Sequence, residues 1–145
     1  MRIWSWQLLP YLSEAQFKGQ LRELVLIMRT WRDTGKTNHL LINRVMNFSK
    51  EHLKEYFELY HLEYVRRYKK EINKNIVEEF NNFDKSNNKD FVVFYPWHNK
   101  EYLRVCLGNL YEKHTFGIGK SRITDEEWAR LCEGYEKITG EKYQI

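Results

Sequence analysis

The sequence predicts an all-α fold in one compact domain, on three observations. Apolar residues recur at three- and four-residue spacing through most of the 145 positions. Helix-start signatures stand in front of those runs, at Ser13 and at Thr124. The strand-like stretch at residues 91–96 has no second such run with which to pair. A chain of this length buries one substantial core and needs no second domain.

Residues 1–12 are expected to be an extended lead-in segment, because Pro10 is incompatible with a helix interior. Ser13 to Gln16 then has the spacing of a capping box. The first helix should run to about Asp33, where Thr34-Gly35 stops it. At the helical period Phe17, Leu21, Leu24, Val25, Ile27, Met28 and Trp31 fall in one arc, and Lys18, Arg22 and Arg29 form a cationic stripe. Glu23 lies at the far margin of the polar side. Neither Gly19 nor Ile27, one turn away, offers it a cation, so its partner must come from elsewhere in the fold.

A shorter helix is expected over residues 38–48, carrying His39 and Asn43 on one face, and Ser49 should cap the next. From Leu53 to Phe83 the apolar positions keep helical spacing, with a bend or split at Asn73-Lys74-Asn75. Residues 84–90 read as a polar loop and 91–96 as a buried extended connector. A helix follows over about 99–113, then a flexible basic loop at 117–120. The last helix should start in the Thr124–Glu127 capping box and end near Gly140.

The charge balance is mildly basic, 24 cations against 20 acids, which permits an anionic partner if the cations cluster. Arg66-Arg67 and Lys69-Lys70 share their helix with Glu58, Glu63 and Glu71 and read as solvated surface. Two isolated cysteines fit a reducing, cytoplasmic setting rather than a disulfide scaffold. No apolar run is long enough for a bilayer span, and there is no signal-peptide core. The five histidines share no metal-binding spacing, and Gly117-Ile118-Gly119-Lys120 is too short for a phosphate loop, so neither metal nor cofactor is expected. Aromatics make up 16% of a chain whose mean hydropathy is −0.73, which suggests rings at the core boundary or on a binding surface.

Two features point to chemistry. An α-amine has a reference pKa of about 7.7–8.0, so a useful fraction is neutral at physiological pH. Arg2 and Arg22 would lower it further, and Arg2 at the second position disfavours removal of Met1. Glu23, on a helix dominated by apolar and basic residues, is either a catalytic carboxylate or part of a surface ion pair with Arg22.

The Met1-Arg2-Ile3-Trp4 start, the Leu-Pro turn near position 10, and Gly19-Gln20-x-Arg22-Glu23 together resemble the pyrimidine-dimer DNA glycosylases, typified by the phage endonuclease V enzymes. Lys36, His39 and Asn43 match a Lys/His cluster followed by Asn in bacterial relatives of that family, and Tyr95-Pro96-Trp97-His98 adds a weaker likeness. The resemblance implies an all-α enzyme that excises a damaged or modified base from double-stranded DNA and then acts as an abasic-site lyase. It assigns Met1 as the amine that forms an imine with the sugar and Glu23 as the catalytic carboxylate. It places Arg2, Gln16, Lys18, Arg22, Arg29, Lys36, His39 and Asn43 in DNA binding, with Gln16 standing where the phage enzymes carry a histidine. Leu26 stands where they carry an arginine, and Arg29 is expected to replace that contact. Trp4, Trp6 and Trp97 are candidates for stacking on bases or for core packing. The expected form is a monomer. The alternative reading is a non-catalytic helical module, binding DNA or protein on the same scaffold.

Overall fold

A computed structural model describes residues 2–145 and shows an all-α protein. Six α-helices, α1 (Glu14–Asp33), α2 (Leu40–Met46), α3 (Lys50–Tyr68), α4 (Lys74–Phe83), α5 (Lys100–Thr115) and α6 (Asp125–Thr139), are joined by 3-10 turns and loops. Backbone contacts divide them into two compact units. One holds residues 2–3 and 20–95, the other residues 4–19 and 96–145. None of the described helices is long and apolar enough to cross a membrane.

Helix α1 buries the predicted stripe: Phe17, Leu24, Ile27 and Met28 have no solvent exposure. Its start differs from expectation. The Ser13 hydroxyl donates to the Gln16 side-chain carbonyl, so the capping box is replaced by a side-chain pair. Its end is as predicted, with the amides of Thr34 and Gly35 both reaching the Thr30 carbonyl and Gly35 at a φ of 69°.

In the first unit, α3 turns Leu53, Tyr56, Phe57 and Tyr60 inward at helical spacing. It stops at Lys69, in the left-handed conformation, and α4 begins afresh after Asn73, whose carboxamide accepts the Asn75 amide at 2.8 Å. The anticipated bend is therefore a break. Phe57 of α3 stacks on Phe80 of α4, with ring centroids 3.9 Å apart. Ser49 occupies the N-cap position of α3 without a side-chain cap bond. Arg67 is not solvated as expected: it and Arg66 both bind Glu63, which is itself buried.

The stretch 91–96 is not extended. Residues 93–97 form turns, Phe94 takes a φ of 54°, and its amide donates to His52 Nδ1 at 2.8 Å. Phe48, His52, Phe91 and Phe94 make an aromatic cluster there. Burying these rings in a compact turn removes more apolar surface than a single unpaired strand would.

In the second unit the expected extended segment is instead a 3-10 helix, Trp6–Tyr11, with Pro10 inside it. A short 3-10 helix loses only one bond at a proline, whereas a long α-helix would also be kinked. The Pro10 carbonyl accepts from Arg130, and the Tyr11 ring lies so close over Gly134 of α6 that a Cβ there would come within 2.4 Å. Asn99 caps α5, Thr124 and Glu127 form the predicted capping box of α6, and Gly140 ends that helix at a φ of 78°. The aromatic surplus is divided between the core and its boundary: Tyr56, Tyr60 and Tyr135 are fully buried and Trp4 and Trp97 nearly so, while about half of the rings, Trp6, Trp31 and Trp128 among them, are half-buried as expected.

Candidate active site

The site is built from the first residues of the chain and the middle of α1. Ile3 is fully buried, which fixes the backbone just before it. The Arg2 amide then donates to Glu23 Oε2 at 3.2 Å. Gln20, one turn before Glu23 on α1, donates to the same Oε2 at 3.0 Å and to the Arg2 carbonyl at 2.9 Å. Its own carbonyl oxygen accepts from the Tyr56 hydroxyl of α3 at 3.0 Å. Gln20 is 1% exposed and Tyr56 fully buried, so this chain of bonds is a rigid brace rather than a surface arrangement.

Glu23 itself is half-buried. Burial pushes its pKa above the usual carboxylate value, while the Arg2 amide bond and the charges of Arg22 and Arg2 pull the other way and do not prevail. A carboxyl group held in place with a raised pKa keeps its proton more readily than a free one, which suits it to proton transfer.

The sequence-predicted residues are distributed unevenly around this carboxylate. Met1 lies outside the described residues. Arg22 is exposed and makes no ion pair among the described residues. Lys18 pairs with Glu14 at 3.0 Å. Arg29 is engaged by a carboxylate of α4: Glu79 takes its Nε at 3.0 Å and its Nη2 at 2.7 Å, and also binds Arg32. These guanidinium bonds hold the Glu79 carboxyl down at a pKa of about 2. Gln16 is buried, with its amide donating to the Ser121 carbonyl at 2.9 Å. Lys36 and His39 are exposed in the α1–α2 connection, and Asn43 braces that loop by donating to the Thr37 carbonyl. Leu26, half exposed, lines an apolar groove of about 390 Å³ with Leu21, Arg22, Val25, Arg29 and Ile76.

Sequence reasoning did not single out Gln20 or Tyr56. The signal for Gln20 was present, since three residues before Glu23 is a neighbouring position on the helix surface. Nothing local marks Tyr56, which reaches the site through tertiary packing alone.

Comparison with known protein families places the chain among the DNA repair glycosylases. The chain belongs to the pyrimidine dimer DNA glycosylase family, whose model matches residues 1–76, or 76 of 145 positions. That span includes Arg2, Gln20, Arg22, Glu23 and Tyr56 and stops within α4. No curated protein and no solved structure matches the chain.

Proposed function

We propose that the protein excises a damaged or modified base from double-stranded DNA and then cleaves the strand at the resulting sugar. In this reading the Met1 α-amine is the nucleophile and Glu23 the proton-transfer and charge-stabilising group. The observation that carries it is the bond from the Arg2 amide to the Glu23 carboxylate. That amide nitrogen is separated from the Met1 α-nitrogen only by the carbonyl carbon and the α-carbon of Met1.

The neutral amine adds to C1′ as the glycosidic bond breaks, and the base leaves with the bonding electron pair and a proton. Opening of the C1′–O4′ bond then gives the imine, with O4′ taking a proton from Glu23, whose raised pKa suits it to hold one. The carboxylate left behind stabilises the cationic imine. Transfer of a C2′ proton to water expels the 3′-phosphate with its bonding pair, and a second water hydrolyses the imine and releases the amine. The nucleotide must leave the base stack for this, at a cost of a few kcal/mol that damage reduces. Arg22, Lys36 and His39 are exposed and can take phosphates, whereas Gln16 is buried and Arg29, though exposed, is bonded to Glu79.

Incubating untagged protein with abasic duplex and borohydride tests this reading. A covalent protein–DNA adduct is expected. Binding without an adduct would support the non-catalytic module instead.

A further inference from the structure

The segment between α5 and α6 lies beyond the residues matched by the family model. It carries Phe116 and Ile118 at its tip, 79% and 85% exposed, a costly display for a soluble loop. From Lys113 to Thr124 it contains no acid, and Lys113, Lys120 and Arg122 make no ion pair among the described residues. The first acids after it are at the start of α6, where Glu127 is taken up by the cap, Asp125 lies 3.5 Å from His114 and Glu126 is exposed.

The loop is also held in shape. Its far end is anchored by Ile123, fully buried, whose amide and carbonyl meet the Lys113 carbonyl and His114 Nδ1. His114 in turn stacks on Trp128. Gly117 packs so tightly that a Cβ would come within 2.1 Å of the Lys113 carbonyl, and Gly119 takes a φ of 69°. Gln16 braces the loop from the start of α1 through its bond to the Ser121 carbonyl. Apolar tips on a fixed backbone, flanked by free cations, match a groove-lined polyanion: side chains meet base edges or steps while ammonium and guanidinium groups take phosphates.

We propose that the Phe116–Arg122 loop is a second duplex-DNA contact, with Phe116 and Ile118 pressed against the bases and Lys113, Lys120 and Arg122 on the backbone. This rests on the glycosylase reading. It also gives Gln16 an indirect part in DNA binding, as a positioning residue.

The test measures affinity for undamaged and abasic duplexes across a salt series, with two variants altered only at exposed side chains. Phe116→Ala/Ile118→Ala should weaken binding about tenfold with the salt slope unchanged, as for other base-stacking side chains. Lys120→Ala/Arg122→Ala should reduce the slope by about two, the value for two lost phosphate contacts. Both should still form the borohydride adduct at saturating DNA. Wild-type affinity and slope in both variants would overturn the proposal while leaving the glycosylase reading intact. So would a Phe116→Ala/Ile118→Ala variant that keeps DNA affinity but loses self-association or binding to anionic phospholipid vesicles. If the wild type neither binds DNA nor forms an adduct, both readings fall together.

Discussion

Gln20→Leu is the most searching perturbation of the site, because it nearly keeps the side-chain volume and removes the amide at the centre of the brace. Gln20 donates to the Arg2 carbonyl and to Glu23, and accepts from Tyr56. At roughly 1 kcal/mol net for each bond, partly offset by the more apolar side chain, the loss should be about 2–3 kcal/mol. For a chain of this size that lowers Tm by about 5–10 °C. Thermal unfolding followed by circular dichroism reads this directly. The second readout is single-turnover cleavage of abasic duplex. The rate at saturating DNA should fall at least about tenfold, because misplacing a catalytic group by even an ångström is costly. DNA affinity should hardly change, since Gln20 is buried and cannot touch DNA. Gln20→Glu, which places a second carboxyl against Glu23, should push the Glu23 pKa further up and move the limb of the pH–rate profile set by loss of the Glu23 proton, the alkaline one, to higher pH. A Gln20→Leu variant with wild-type Tm and wild-type cleavage would refute the brace.

Three more outcomes follow from the charges. Glu23→Gln should fold normally and abolish strand cleavage. Because the folded-state pKa of Glu23 is raised, its ionised form is a stability cost at neutral pH. The variant should therefore melt no lower than wild type there, and wild type should gain relative to it as pH falls through that pKa. His52 behaves oppositely. Burial lowers its pKa, so its stabilising contribution is full above the unfolded value of about 6.5 and declines as pH falls below it. An NMR titration of its ring should place the pKa below that value, and an unperturbed titration would contradict the role given to its bond with the Phe94 amide. Glu79→Gln should release Arg29 and Arg32 from their shared carboxylate and add a positive charge, giving tighter, more salt-sensitive binding to undamaged duplex. Unchanged affinity would mean that this face does not meet DNA.

The helices were legible wherever one element could be read alone. The α1 stripe, the Gly35 stop, the Thr124 capping box and the Gly140 terminus all depend on residues within a turn or two of one another. Where the outcome depended on tertiary contacts, local reading failed. Pro10 excluded an α-helix but could not reveal the 3-10 helix that Arg130 and Gly134 support from α6. Residues 91–96 had strand-like composition, yet His52 supplies the bond that folds them into turns. The same limit applied at the site. Helix geometry showed that Glu23 lacked a neighbouring cation, and its partner does come from the chain's first residues, as a backbone amide rather than a charge. Arg29 sits on the expected cationic stripe, but only the fold reveals that Glu79 of α4 holds it. Gln16 was chosen by position within a motif, and its amide proves to be bonded within the second unit.

The central claim is that the nucleophile is the Met1 α-amine, with Glu23 as the proton-transfer group. The most direct measurement is peptide mapping by mass spectrometry of the adduct trapped by borohydride on abasic DNA. The sugar remnant should be found on the peptide beginning Met1-Arg2-Ile3, attached to the α-nitrogen, and acetylation of that amine should prevent trapping. A remnant on any lysine, or trapping that survives terminal acetylation, would contradict it.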